Sequence, residues 1–365
     1  MNLAELYQWM GKIREIFGGM GHWQVTGLAL YSYGVVLARQ CAPSKVAEYL
    51  GGLGKISSVQ RRLERWLSNE RIDWRRCCVA WSAFVLRRYV GERIILLVDE
   101  TKLGGYLSAM VVGLAYRGCC IPLVFWCYKP TDWPMGQVHL IEELLSWLAE
   151  VIPDSCQPLV QADRGIGTSP ALIRVIEALG WHYLFRVQGQ SRFQFADGHT
   201  AALQDLAKRG RCWTGRGKVF KKAGWLACIV HVIWELPYVH PWCLVTNCPD
   251  LSGWTYALRY WQEASFRDLK SDGWQWQTSR IFSPAHANLL LLVLTVAYAF
   301  VLSLGTLSLD TPSLAARVLD KHCSIFRNGL RLAQTFLGHL QPVLMALAQD
   351  FFVFLDPPSL KSVGQ

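Results

Sequence analysis

The sequence predicts an α/β fold: a mixed five-stranded sheet with helices, interrupted by a β-rich insertion and flanked by N- and C-terminal helical regions. Three observations predict it. Residues 1–90 repeat apolar side chains at helical spacing between glycine breaks. Residues 91–188 change to short continuous apolar runs, two of which stop at an aspartate. Residues 189–247 carry strand-like runs joined by basic turns, after which helical spacing returns.

In chain order, Gly18-Gly19, Gly51-Gly52 and Gly54 punctuate the first ninety residues. Pro43 and Ser44 begin a short helix over 45–50. A second helix, capped by Ser57 or Ser58, covers 59–67. Its apolar face is Leu63, Trp66 and Leu67, and Arg61, Arg62 and Arg65 lie mainly off it. Arg93 to Asp99 is a buried strand that ends in an acid. Leu107–Tyr116 and Cys119–Tyr128 are two more strands, joined at Arg117-Gly118. A helix over 138–151 leads to a fourth strand, Pro158 to Asp163, again ending in an acid. A helix follows over 169–179, with Pro170 in its first turn, and then a strand over 181–187. The order β-β-β-α-β-α-β is that of the ribonuclease-H-like fold, in which the ends of the first and fourth strands, here Asp99 and Asp163, are neighbours. About sixty residues then intervene, with strands expected at 193–195, 218–221, 225–234 and 242–246. An apolar helix over 289–304 covers the sheet, and two or three amphipathic helices close the chain.

Composition narrows the function. The chain has 365 residues and a net charge of +10, unevenly placed. Residues 1–90 hold 13 Lys and Arg against 6 Asp and Glu, and residues 189–247 hold 8 against 3. Residues 91–188 reverse the sign, with 7 against 10. Basic flanks imply a polyanionic partner, and the acidic middle suggests a metal-bearing core. The twelve cysteines include no Cys-x2-Cys pair and sit mostly among apolar residues, so they read as small buried hydrophobes in a reducing cytoplasm. No signal peptide is expected. The longest apolar run, 16 residues over 289–304, falls short of the ~20 needed to cross a bilayer, so a buried core helix rather than a membrane span is expected.

The stretch from Tyr256 to Lys270 carries the most information. On a helix at about 100° per residue, Tyr256, Arg259, Glu263, Arg267 and Lys270 share an arc of roughly 80°. Leu258, Trp261, Ser265 and Leu269 form the opposite, anchoring side. Alone, this reads equally as a surface helix with i,i+4 ion pairs. The spacing Tyr-x2-Arg-x3-Glu-x6-Lys, however, resembles the signature around the catalytic glutamate of the IS-four group of bacterial insertion-sequence transposases, which are DDE transposases. The Arg-Arg-Leu-x2-Trp-Leu-Ser-Asn string that begins at Arg61 is similar to their N-terminal region.

The resemblance implies a catalytic triad of Asp99, Asp163 and Glu263 that holds two Mg²⁺ ions, with Mn²⁺ able to substitute. Glu100, a neighbour of Asp99, points to the other strand face and would act behind it. Tyr256, Arg259 and Lys270 would contact DNA phosphates, as would Arg164. Residues 1–90 would form a helical DNA-end-binding region through Arg61, Arg62 and Arg65. Residues 91–188 and 248–305 would form the ribonuclease-H-like catalytic domain, 189–247 the β-rich insertion and 306–365 a C-terminal helical region. The implied activity is cut-and-paste transposition: hydrolytic nicking at the element ends, then strand transfer by a 3′-hydroxyl, with a hairpin route open to members bearing this signature. Trp234, Trp242 and Trp254 are candidates to stack on a flipped base. The implied partners are the terminal inverted repeats, target DNA and a second copy in the synaptic complex, in a bacterial cytoplasm beside the nucleoid. The alternative is a catalytically silent or domesticated DNA-binding protein of the same fold. The 45–67 helix pair reads as a helix-turn-helix or as part of a plain helical bundle.

Overall fold

A computed structural model of the chain describes residues 3–310 and 323–338. Five helices come first: α1 (Leu3–Ile16), α2 (His22–Ala38), α3 (Pro43–Tyr49), α4 (Ile56–Leu67) and α5 (Trp74–Leu86). The helix expected over 59–67 begins earlier, at Ile56. Lys55 stands at its N-cap position without a side-chain bond, and Ser57 and Ser58 lie inside the first turn. Val59, Leu63, Trp66 and Leu67 are its buried side, against α2. Trp66 seats over Gly27, where a Cβ would stand 2.0 Å from the indole, and its Nε1 donates to the Gln24 carbonyl at 2.9 Å.

Ten strands form one mixed sheet in the order β3-β2-β1-β4-β5-β10-β9-β8-β6-β7. The first five are β1 (Arg93–Leu103), β2 (Leu107–Tyr116), β3 (Cys119–Tyr128), β4 (Gln157–Ala162) and β5 (His182–Arg186). β1, β2 and β3 are an antiparallel meander, while β4 runs parallel to both β1 and β5. Arg117 and Gly118 both take positive φ at the β2–β3 turn, as a tight two-residue hairpin requires. Helices α6 (Gln137–Ala149), α7 (Arg164–Gly167) and α8 (Pro170–Ala178) connect the parallel strands.

The insertion supplies β6 (Arg192–Gln194), β7 (Thr200–Ala202), β8 (Arg211–Val219), β9 (Leu226–Trp234) and β10 (Trp242–Thr246). These strands extend the sheet: β10 pairs antiparallel with β5, so the sheet has ten strands where five were expected. The reason is chemical. β5 would otherwise be an open edge with unpaired backbone groups, and β10 covers it.

Beyond the sheet lie α9 (Tyr260–Arg267), α10 (Pro284–Asp310) and α11 (Ile325–Gly338). The expected single helix over 256–270 is three segments. A 3₁₀ turn covers Gly253–Arg259, α9 follows, and a π-turn covers Asp268–Asp272. The first starts at Ser252, whose Oγ accepts from Trp254 N; the last widens where the Asp268 side chain turns inward to Tyr298. α10 is longer than the 289–304 run suggested. The stretch 284–307 is apolar and long enough to cross a membrane, yet its apolar window is wholly buried. It lies against α2, α5, α11 and β3. Of the helices expected in residues 306–365, α11 is described, and the remainder lies outside the described residues.

Two apolar clusters fill the sheet's faces. The larger contains Ile94, Leu96 and Val98 of β1 with residues of α2, α6, α8 and α10. The smaller contains Ile95 and Leu97 of β1, Leu159, Leu184 and Leu244, packed beneath Tyr256 and Leu258. Asp99 follows Leu97 by two residues, so it stands on the smaller cluster's face. None of the twelve cysteines is in a disulfide among the described residues, and Cys212 and Cys323 are the two that are not buried.

α10 crosses α11 through a glycine pair. A Cβ on Gly305 would stand 2.0 Å from the Ile325 carbonyl oxygen, and one on Gly329 would stand 1.9 Å from that of Val301. Backbone cannot step aside as a side-chain tip can. Gly305→Ala is therefore expected to cost about 3 kcal/mol, the upper end of overpacking effects. Gly51→Ala, with open space around it, serves as the control in urea unfolding. Equal midpoints for the two variants would refute the close crossing.

Candidate active site

Register alone brings the first two acids together. β1 and β4 run parallel with Val98 opposite Ala162, so Asp99 and Asp163 are the next residues on adjacent strands. Beyond that point β1 continues to Leu103 paired with β2 only, while β4 stops. Asp163 turns into α7 and caps it: its Oδ1 accepts from the amides of Gly165 at 2.9 Å and Ile166 at 3.1 Å. Asp99 spends one oxygen in the same way, Oδ1 accepting from its neighbour's amide, Glu100 N, at 2.9 Å. Each aspartate thus keeps Oδ2 for the space between the strands.

That space holds the guanidinium of Arg259. Its Nη2 donates to Asp99 Oδ2 at 2.7 Å and lies 3.9 Å from Asp163 Oδ2. Its Nη1 donates to Glu263 Oε1, one helical turn on. The three acids singled out in the sequence therefore converge on one cation. Arg259 is only 8 % exposed, and its buried Nε has no partner among the described residues. Burial alone would lower the Arg259 pKa, but Asp99, Tyr256, Asp163 and Glu263 together raise it. Burial raises Asp99 to about 6; Arg259 opposes the rise, and Asp163 adds to it.

The glutamate's helix is fixed from behind by buried polar bonds. Gln161 Nε2 on β4 donates to the Thr255 carbonyl at 3.0 Å, and Gln262 Nε2 donates to that of Val111 at 3.1 Å. Ser265 Oγ accepts from Cys120 N at 2.7 Å and from the Tyr298 hydroxyl at 2.8 Å. Tyr298 also reaches Asp268 Oδ2 at 3.1 Å. Glu263 itself stays exposed at the rim.

The remaining predicted residues fall into two groups. Tyr256 joins the centre: it is buried, packs on Trp242 with ring centroids 5.3 Å apart, and burial pushes its hydroxyl pKa well up. Lys270 is half-buried in the π-turn, and Arg164 is exposed on α7 directly after Asp163. Arg61, Arg62 and Arg65 are exposed on α4, away from the triad's strands. Glu100 accepts from the Tyr128 hydroxyl at 2.8 Å. Among the three candidate tryptophans, Trp254 is exposed and packs on Trp242, and Trp234 donates to the Tyr238 carbonyl.

Arg186 escaped the sequence reading. Ala162 pairs with Phe185, so Arg186 continues the row of Asp99 and Asp163 on a third strand. Its charge acts on Tyr256. The signal was present, since β5 is a third apolar strand ending in a charged residue.

The donor set is all carboxylate oxygen, which suits a hard divalent cation. Among the described residues, no three acid, His or Cys side chains are grouped closely enough to hold an ion as they stand. A guanidinium, not an open cage, occupies the centre of the acids.

The arrangement is a carboxylate-lined site at the ends of adjacent strands, closed by one guanidinium. A family model described as Transposase DDE domain matches residues 135–300, a stretch that contains Asp163 and Glu263 and begins after Asp99. The match supports a DDE transposase family for the chain. Among curated proteins no match is found.

Asp268 offers a pH test of the helix anchor. Burial raises its pKa from 3.8 to about 7, against the pull of the Tyr298 hydroxyl. A carboxyl that holds its proton more tightly when folded favours the folded state at low pH. Its contribution is lost as pH rises through the window from 3.8 to about 7. Asp268→Asn should therefore be more stable than wild type at about pH 8 and lose that advantage at about pH 4. An unchanged difference in urea midpoints at the two pH values would rule this out.

Proposed function

We propose that the chain is a DNA transposase that cuts the ends of a bacterial insertion sequence and joins them to target DNA. One observation carries the reading: Asp99, Asp163 and Glu263, remote in sequence, meet at one charged centre. The family match supports the transposase class. The Tyr256-x2-Arg259-x3-Glu263-x6-Lys270 spacing supports the IS-four group. The order β3-β2-β1-β4-β5, with the two aspartates at adjacent strand ends, supports a ribonuclease-H-like core.

In this reading Asp99, Asp163 and Glu263 would hold two Mg²⁺ ions, or Mn²⁺ in their place. Bound there, they would supply activation of the attacking oxygen and stabilisation of the leaving one. Water serves as nucleophile in end nicking, and a 3′-hydroxyl in hairpin formation and strand transfer. The chain's own cations position the substrate. Arg259 holds the acids together in the resting protein and turns to a DNA phosphate when substrate enters, beside Arg186 and Lys270. Arg164 contacts the backbone next to Asp163. Tyr256 contacts a phosphate, and the exposed Trp254 stacks on an unstacked base. Arg61, Arg62 and Arg65 of the N-terminal helical region bind the element ends, two copies assemble in the synaptic complex, and the reaction takes place in the cytoplasm beside the nucleoid.

The test is incubation of the full chain with DNA carrying both element ends and Mg²⁺, with products resolved on a denaturing gel. Nicked and joined strands are expected. Asp99→Asn, Asp163→Asn and Glu263→Gln should each reduce cleavage by at least about a thousandfold while DNA binding persists, because each removes a charge with little change of shape. Full cleavage by any one of them removes that residue from the triad. End binding without cleavage by the wild type would identify a silent DNA-binding protein instead.

Arg259 gives an independent prediction without DNA. In Arg259→Gln no resident cation competes for the carboxylates. Calorimetric titration should show Mn²⁺ binding about tenfold tighter than in wild type, as charge repulsion at this distance allows. The metal-free variant should melt at lower temperature, since three acids then face one another unpaired. Weaker Mn²⁺ binding would mean that Arg259 shapes the site rather than competing for it.

A further inference from the structure

A groove of about 1160 Å³ runs between the α3–α4 helix pair and the segment 278–286 that leads into α10. Lys45, Arg61 and Arg65 line one wall; Arg280 and His286 line the other. Glu64 is the single acid, leaving a formal excess of three positive charges with His286 neutral. Glu64 accepts from Gln60 at 2.8 Å. Lys45 pairs with Glu48 on the surface. Arg61, Arg65 and Arg280 form no ion pair with an acid among the described residues. Cations that face one another across a concavity repel, and their field is focused there. Ser44, Ser58, Ser68 and Thr278 also line the groove. Arginine, lysine and small hydroxyls together are the usual donors to a phosphate backbone.

The second wall is pinned by hydrogen bonds to a buried turn. Arg280 takes φ +59 on a turn held by Ser279, whose amide donates to the Trp276 carbonyl at 3.0 Å and whose Oγ accepts from Ile281 N at 3.3 Å. Ser279 and Trp276 are buried. The wall also lies toward the triad's end of the sheet. Phe282, 52 % exposed, packs edge-on to Tyr106 of the β1–β2 turn at 4.5 Å. The Tyr106 hydroxyl donates to the Gln277 carbonyl at 3.4 Å. Asp99 lies four residues before the end of β1, about 13 Å along the strand.

We propose that this groove seats the sugar–phosphate backbone of the DNA duplex flanking the scissile bond, clamped between α4 and the 278–286 turn. The proposal rests on the DNA-cutting reading above. It departs from a helix-turn-helix acting alone, since one of the two walls, carrying Arg280 and His286, belongs to the chain's catalytic half. Arg280 and His286 become binding residues, and Phe282 stands at the exit toward the triad.

The experiment measures binding of the full chain to a labelled mixed-sequence duplex over a range of salt. The variants are Arg61→Glu, Arg65→Glu and Arg280→Glu, with Arg76→Glu as an exposed charge reversal outside the groove. Each groove variant should weaken binding by about tenfold or more and reduce the slope of log affinity against log salt by about one. Arg76→Glu should change affinity less than about threefold by the same rule. Thermal melts report folding, and His286→Glu reads the second wall if Arg280→Glu unfolds. If Arg280→Glu and His286→Glu bind like wild type while Arg61→Glu fails, α4 binds alone and the clamp is wrong. If polyglutamate competes as well as duplex at matched charge, the groove is a protein-docking site and the proposal also fails. If the wild type binds no duplex at all, the DNA reading itself falls, a result distinct from either.

Discussion

Arg259 among three carboxylates is the interaction on which the rest of the site depends. Three acids facing one another at the end of a sheet repel, and in a partly buried setting that repulsion is costly. A single guanidinium satisfies them because its planar fork presents separate donors in fixed directions. Nη2 serves Asp99 and faces Asp163, while Nη1 serves Glu263. The buried, unpartnered Nε shows that this placement is held at some expense.

The geometry behind it is a division of labour between backbone and side chains. Parallel pairing of β1 with β4 brings two acids side by side with no loop to position them. The third acid arrives on α9, whose own sequence would let it float, since Glu263 faces outward. Buried bonds from Gln161, Gln262 and Ser265 pin the segment to β4, β2 and β3 in turn. Tyr298 of α10 closes the network. Each of these groups would be expensive to bury unpaired, so the helix has few alternative positions.

Much of this was legible in the residues. The limits of β2 and β3 were readable to the residue because Arg117-Gly118 admits a tight hairpin and both flanks are continuously apolar. The three acids were readable because strand-end aspartates and a spaced helical signature are local patterns. What escaped was relational. Periodicity placed Arg259 on the outward arc with Glu263, but the 3₁₀ turn before α9 carries it inward. A one-dimensional pattern cannot show that carboxylates 160 and 96 residues upstream draw it there. Arg186 was missed because its role depends on pairing β5 with β4, not on its neighbours in sequence. The insertion looked separate because its strands are short and basic. Only the open edge of β5 explains why they continue the same sheet.

That continuity has a consequence for charge. Register partners point to the same face of a sheet. One row passes from Leu97 through Gln161, Leu184, Thr246 and Ile229 to Arg216. The next begins at Asp99 and Asp163 and continues through Arg186, Leu244 and His231 to Thr214. The acids therefore share a rigid face with an exposed basic strand about 24 Å away across the hydrogen-bonded sheet. At physiological salt the Debye length is only about 8 Å, so that strand does not neutralise the triad through solvent. The two signs are kept apart by structure, which leaves the carboxylates to the nearest cation and the outer arginines to a polyanion. A long anion that spans both regions would meet attraction at the edge and repulsion at the centre until the central charge is reversed. The uneven charge of the sequence is thus built into the fold: the acids gather at the ends of the central strands, and the bases stand on an outer strand of the same sheet.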